Sequence, residues 1–461
     1  MKQYRDDDTI AAISSGMTEA GIGIVRVSGP EALKIAEKTV RIGGKPASDL
    51  QANTVHVGLL MQGDTVLDQA VVLTMRAPKS YTGEDVVELQ CHGGPYLLRR
   101  VLQTVLDAGA RLAMPGEFTR RAFLNGRMDL SQAEAVMDLI GSHSEYERAS
   151  AMDQLSGSFS SRINDLRSRI LYETAFLEAA VDDPEHISTE GYAERLAAVV
   201  KEIRAQIADM IQAAENARVF KAGIRTVILG SPNVGKSSIL NLLLGSERAI
   251  VTEIPGTTRD VLEEAVRVGD LTLLLADTAG IRRSEDTVER IGIELAEKKA
   301  EAADLILYVI DAAQPASQQE LMQAAKWVKN KKAILLLNKT DLPQAADVGA
   351  IREITGLEPL SFSARTGEGR KELYDKILTI FSDMLPASGE YEAAANLRHL
   401  EELRTADKSL ALVEEAIAAG MPEDLFTIDL MDAYTALSRI VGDAASEALV
   451  DEIFSKFCMG K

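Results

Sequence analysis

The chain has 461 residues, 46% of them hydrophobic and 26% charged, which is room for about three domains of ordinary globular composition. No apolar run approaches the ~20 residues of a membrane span, and the start, Met1 to Asp8, has no apolar core, so neither a span, a secretion signal nor an Arg-rich transit peptide is expected. The net charge of −20 argues against broad, non-specific nucleic-acid binding, and two cysteines, Cys91 and Cys458, exclude a disulfide framework and point to a reducing, cytoplasmic setting.

The charge is uneven. Residues 1–122 hold 14 Lys/Arg and 14 Asp/Glu, so the whole excess lies in 123–461. A bound RNA would need a local patch, the neutral N-terminal segment or a partner protein. The histidines are scattered without ligand spacing, so no transition-metal site is expected.

Residues 1–122 read as a small α/β domain, with strands at Gly23-Ile-Val-Arg-Val27, Thr54–Met61, Ala70–Met75 and Val86–Gln90 and helices after Pro30 and Pro95. Residues 123–220 read as almost wholly helical, with a capping box at Ser131-Gln-Ala-Glu134 and a break near Asp182–Glu185. Residues 222–383 alternate strands (226–230, 272–277, 305–311, 333–338, 359–363) with helices such as Glu289–Ala302 and Gln318–Lys329, which predicts a mostly parallel, doubly wound sheet. Residues 384–461 turn helical again. The fold class is therefore multidomain, α/β and all-α, with the α/β segment 222–383 inserted in one helical domain made of 123–220 and 384–461; two separate helical appendages are the alternative.

Gly230-Ser-Pro-Asn-Val-Gly-Lys-Ser237 has the spacing G-x-x-x-x-G-K-S between an apolar strand and a helix. Asn233, Val234, Gly235, Lys236, Ser237 and Ser238 would wrap phosphates with backbone N–H groups and the helix dipole. Lys236 would reach the β- and γ-phosphates and the Ser237 hydroxyl would bind Mg²⁺. Asn338-Lys-Thr-Asp341 follows an apolar strand and selects GTP: the Asp341 carboxylate accepts from two donors on the guanine edge. Asn338 bonds its acceptor side, the Lys339 stem covers the ring, and Ser363-Ala364 offers a backbone N–H to the guanine oxygen. Asp277-Thr278-Ala279-Gly280 places Asp277 on Mg²⁺ through water and the Gly280 N–H at the γ-phosphate. Thr258, in the loop running through Gly256 and Thr257, is the second hydroxyl on Mg²⁺, and its ordering makes the loop a switch. Ile281, next to Gly280, cannot orient water. Asn233 could instead help hold a monovalent cation beside the β–γ bridge, and Glu289 could orient the attacking water directly or through a second water.

Together with Asp8-Thr-Ile10, Gly23-Ile-Val-Arg26, Thr82-Gly-Glu-Asp85 through His92-Gly-Gly94, Pro115-Gly-Glu-Phe118, Arg121-Ala-Phe-Leu-Asn125 and the terminal Phe-Cys-Met-Gly-Lys461, these motifs make the whole chain resemble the MnmE/TrmE family of bacterial tRNA-modification GTPases. The resemblance implies a Ras-like GTPase domain inserted in the helical domain, and an N-terminal domain (1–122) that dimerises and binds a tetrahydrofolate derivative (5-formyl- or 5,10-methylene-) through Arg26, Glu88, Arg127 and Lys461. It implies K⁺-dependent pairing of GTPase domains in a homodimer. Asn233, Thr252, Ile254 and Thr257 would ligate K⁺, Glu253 and Pro255 would complete the covering loop, and Glu289 would be the water-orienting glutamate. Cys458 matches a tail cysteine, as nucleophile, sensor or packing group. The resemblance further implies an FAD-dependent partner, MnmG (GidA), that supplies the redox step and most of the tRNA contact, so that together they install aminomethyl or carboxymethylaminomethyl groups at C5 of the wobble uridine. A ribosome-assembly or translation-control GTPase switch is the alternative.

Overall fold

The computed structural model describes residues 8–44, 46–142, 144–245, 263–269, 271–276, 300–329, 331–382 and 396–461. The chain divides into two compact units. One is built from three stretches, 1–141, 151–211 and 397–461; the other comprises 142–150 and 212–396, so its long stretch lies between parts of the first.

The first unit opens with a seven-stranded sheet in the order β3-β4-β5-β6-β2-β1-β7. Its strands are β1 (Ile10–Ile13), β2 (Ala20–Ser28), β3 (Val40–Arg41), β4 (Thr54–Gln62), β5 (Thr65–Met75), β6 (Val86–Gly93) and β7 (Arg111–Leu112). All neighbours are antiparallel except β1 and β7. The alternation of β2 explains the layering. Val25 and Val27 are fully buried in a core shared with Leu98, Val101 and Val105 of α2 (Pro95–Asp107) and with Ile35 of α1 (Ala32–Thr39), while Arg26 points to the other face. The expected strands all lie within observed ones. β1, β3 and β7 were not expected, because each is too short to show a period.

The helices that follow are α3 (Glu117–Leu124), α4 (Leu130–Ile140), α5 (Glu145–Ser156), α6 (Ser158–Asp182) and α7 (Tyr192–Ala222), and the chain ends in α12 (Leu397–Ala418), α13 (Phe426–Val441) and α14 (Glu447–Ser455). α13 packs against both α6 and α12. Its buried Phe426, Leu430, Ala433, Leu437 and Ile440 recur at helical spacing and meet a similar stripe, Leu403, Ala406, Leu410 and Val413, on α12. The cap of α4 differs from expectation. Asp129 is the N-cap: its side chain accepts from Gln132 N at 2.9 Å, and Gln132 Oε1 accepts from Asp129 N at 3.0 Å. Ser131 and Glu134 have the right spacing but tertiary partners: Ser131 Oγ meets Ser160 Oγ at 2.8 Å, and Glu134 pairs with Arg398.

The second unit carries β8 (Ile224–Gly230), β9 (Glu263–Val268), β10 (Leu271–Ala276), β11 (Leu305–Asp311), β12 (Ala333–Asn338) and β13 (Leu360–Ser361), in the order β13-β12-β11-β8-β10-β9. The sheet is parallel except for the edge strand β9. Every residue of β11 is buried. Leu305, Leu307 and Val309 face a cluster that includes Ile239 and Leu243 of α8 (Lys236–Gly245) and Leu373 and Ile377 of α11 (Arg370–Ile380). Ile306, Tyr308 and Ile310 face one that includes Leu321 and Val328 of α9 (Gln318–Val328) and Ile351 of α10 (Val348–Thr355). A strand covered on both faces reads as an unbroken apolar run, which is why 305–311 and 333–338 were legible. Among the described residues, no helix is long and apolar enough to cross a membrane.

Candidate functional site

The C-terminal ends of parallel strands β8, β11 and β12 lie side by side, with Gly230 paired to Val309 and Asp311 to Asn338. Ligands of such sheets gather at these ends, where helix N-termini point and the strand order reverses. β8 runs into residues 231–235 and then α8, whose N-terminus carries Lys236, Ser237 and Ser238. Ser237 and Ser238 are exposed. Asn233 is also exposed, at φ 63°. Lys236 Nζ donates to the carbonyls of Gly230 and Ser231, both at 2.7 Å, so its ammonium already sits within the loop; burial holds it below the ordinary lysine value.

The loop after β12 is fastened to this one. Asn338 Nδ2 donates to Val234 O at 2.8 Å, and Lys339 Nζ donates to Asn233 O at 2.9 Å. Gly235 is required here: its φ is +102°, and a Cβ on it would stand 2.3 Å from Asn338 Nδ2. The arrangement at the end expected to read the base departs from that expectation. Ala364 N donates to Asn338 Oδ1 at 3.0 Å and Ser363 N to Glu368 O at 3.0 Å, so both of those N–H groups are engaged within the protein. Asn338 accordingly joins three loops, with one of its two Nδ2 hydrogens committed to Val234 O. Ser363 Oγ donates to Asp341 Oδ1 at 2.8 Å and orients that carboxylate. Thr252, Glu253, Ile254, Pro255, Gly256, Thr257, Thr258, Asp277, Thr278, Ala279, Gly280 and Glu289 lie outside the described residues.

A second constellation sits on the N-terminal sheet. Register pairs Arg26 with Glu88, and Arg26 Nε donates to Glu88 Oε1 at 2.9 Å. The guanidinium lies 5.1 Å from the Tyr81 ring centroid and 5.6 Å from that of Phe118. Its Nη1 is buried with no hydrogen-bond partner among the described residues. The C-terminal tail reaches this place. Phe454 and Phe457 pack at 5.1 Å, Gly116 N donates to Cys458 O at 3.4 Å, and Gly460, at φ +90°, presses its backbone against Ile13 O. Lys461 is thereby half-buried beside the pair. Burial holds its ammonium below the ordinary value, the Arg26 guanidinium adds to that, and Glu88 opposes it. The structure thus brings Arg26, Glu88 and Lys461 together. Arg127 is exposed beside Gly83, outside those interactions, and Cys458 is an exposed free thiol. Cys91 is buried, and that burial pushes its thiol up to about 11. Tyr81, Phe118 and Asp311 were not foreseen. For Asp311 the one signal was an acid at the end of an apolar strand run.

The model of the GTP-binding protein TrmE N-terminus matches residues 9–127, and that of the MnmE helical domain matches 130–458. Curated relatives named tRNA modification GTPase MnmE align along nearly the full length. The Lachnoclostridium phytofermentans protein is 46% identical over 456 residues, covering 98% of this chain and 99% of the relative. That of Bacillus licheniformis is 43% identical over 459 residues (98% and 100%), and that of Bacillus subtilis 42% over 463 (98% and 100%). With both domain models matched and this identity sustained end to end, the chain belongs to the MnmE family of tRNA modification GTPases.

Proposed function

We propose that this chain binds and hydrolyses GTP and takes part in tRNA modification, as its relatives' names state for them. The observation that carries the nucleotide half is the fastening of the phosphate loop to the Asn338–Asp341 loop, Asn338 to Val234 and Lys339 to Asn233, which holds the two ends of a nucleotide site in fixed register. In this reading Lys236 exchanges the carbonyls of Gly230 and Ser231 for β- and γ-phosphate oxygens, and Asp341 reads the guanine edge. Ser237 and Thr258 would hold Mg²⁺, with Asp277 acting through water, and Glu289 would orient the attacking water. Bound there, the metal would supply Lewis-acid stabilisation of phosphate charge. Asn233, whose side chain is exposed on the loop, is suited to ligate K⁺ with Thr252, Ile254 and Thr257.

The Arg26–Glu88–Lys461 group is proposed as the tetrahydrofolate site, with Arg127 at its rim. The buried, unpartnered Arg26 Nη1 fits an acceptor on the ligand, and the cations suit a glutamate tail. When bound, the folate supplies one carbon; the chain's residues bind and orient it. The proposed organisation is a folate-binding, dimerising domain (1–122), a helical domain (123–220 and 384–461) and an inserted GTPase domain (222–383), in a cytoplasmic homodimer working with the FAD-dependent MnmG.

Two measurements test this. Hydrolysis should run much faster in K⁺ than in Na⁺ at equal ionic strength; equal rates reject the cation device. Mass spectrometry of wobble-uridine nucleosides from cells lacking the chain should show loss of aminomethyl-type modifications, restored by the intact chain and not by Asp277→Ala. Unchanged nucleosides would favour a ribosome-assembly or translation-control switch.

A further inference from the structure

We propose that Asp311 is a positioning residue of the nucleotide site: it fixes the Lys339 ammonium, so that the lysine stem is set for the base and not free to turn elsewhere. The inference rests on the GTP reading above.

Parallel pairing of β11 with β12 sets Asp311 opposite Asn338, so Asp311 and Lys339 emerge from adjacent strand ends. Lys339 has φ 69°, a left-handed conformation that is unfavourable for an L-residue and persists only where the surroundings hold it. Two partners hold this one. Nζ donates to Asp311 Oδ2 at 2.7 Å and to Asn233 O, in the phosphate loop, at 2.9 Å. The carboxylate is itself fixed: Oδ1 accepts from Ala313 N at 2.9 Å, and the side chain is only 11% exposed. The lysine is therefore pinned at its tip as well as its root, and its methylene stem spans from the Asn338 loop to the phosphate loop.

Charge gives the arrangement its purpose. Lys236 brings one ammonium to this loop for phosphate. A second, unpaired ammonium on a flexible stem would be a mobile point charge free to follow solvent or phosphate. Pairing with Asp311 neutralises it and leaves the apolar stem as its contribution. Without Asp311 a neutral carbonyl alone would hold the tip.

The test is Asp311→Asn in the full chain, read by fluorescent guanine-nucleotide titration, steady-state GTP kinetics and thermal unfolding. The Kd for GDP and the KM for GTP should each rise about ten-fold, with kcat at saturating GTP falling far less. In a Lys339→Met background the same substitution should add less than about two-fold, because the interaction it removes is already gone. Asp311→Ser, which keeps an acceptor for the Ala313 N–H, should reproduce the ten-fold loss and serves if the asparagine variant is thermally unstable. Unchanged affinity in either Asp311 variant overturns the proposal, as does an undiminished further loss in the Lys339→Met background, which would mean that Asp311 acts through the fold. An unaltered chain that binds no guanine nucleotide would instead overturn the GTP reading, a distinct result.

Discussion

Glu134 and Arg398, 264 residues apart in the chain, form a bidentate ion pair, Nε donating to Oε1 at 3.0 Å and Nη2 to Oε2 at 2.7 Å. The same guanidinium donates to the carbonyls of Arg439 at 2.8 Å and Ile440 at 3.0 Å, closing the C-terminus of α13. His399 Nε2 lies 2.8 Å from Glu134 Oε2, and its ring, wholly buried, packs on Phe159 at 5.1 Å. One carboxylate thus holds together helix α4, the first turn of α12 and the end of α13.

Glu134 makes a prediction about acid. Burial pushes its carboxyl up, but His399 and Arg398 outweigh that and hold it at about 2, against an ordinary 4.5. The folded value lies below the unfolded one, so the pair's stabilisation is fully present above about pH 4.5 and fades as the pH falls toward 2. Glu134→Gln leaves Arg398 without its anion and should cost about 3 kcal/mol at pH 7. Urea unfolding followed by circular dichroism should show that deficit narrowing below pH 4.5; a gap that stays constant from pH 7 to pH 3.5 rejects the pair as its source.

Gly460 tests whether the tail builds the second site. A Cβ there would lie 2.2 Å from Ile13 O, so Gly460→Ala must move the tail and with it Lys461. Gly460→Ala and Lys461→Ala should both weaken binding of 5-formyltetrahydrofolate, by about ten-fold, in equilibrium titration. Because the Lys461 ammonium is held below its ordinary value, the affinity of the unaltered chain should decline as pH rises, and do so earlier than for a solvent-exposed lysine. If neither variant changes the folate Kd, the tail is no part of that site.

The proposed reading makes Asp341 the residue that chooses the base. Its Oδ1 is aligned by the Ser363 hydroxyl, with Arg365 Nε 3.6 Å from Oδ2. An amide in its place turns an acceptor into a donor, which mismatches guanine and suits a ring with a carbonyl at that carbon. Asp341→Asn should lose GTP affinity by about 100-fold and prefer xanthosine triphosphate, measured by competition titration. Retained preference for GTP would remove Asp341 from base recognition.

Much of this was legible in one dimension. The phosphate loop declares itself by glycine and lysine spacing between a strand and a helix, and β11 and β12 by unbroken apolar runs, because each is a matter of bonds within a few residues or of burial on both faces. The capping box shows where such reading stops. Ser131 and Glu134 satisfy the spacing, yet Asp129 and Gln132 cap the helix, because Ser160 and Arg398, remote in sequence, engage the other two. Strand β9 was missed because Glu263-Glu-Ala-Val-Arg-Val268 has a weak period and gains its place from pairing with β10.

Which charges meet was decided by the tertiary structure. Asp311 reaches Lys339 because β11 and β12 are neighbours in the sheet, Glu88 reaches Arg26 because β6 and β2 pair in that register, and Lys461 joins them because the phenylalanines of the tail seat it beside β1. Residue types and local spacing set which groups the chain can offer. Strand order and helix packing set which of them share a volume small enough, and dry enough, for a charge to fix its partner.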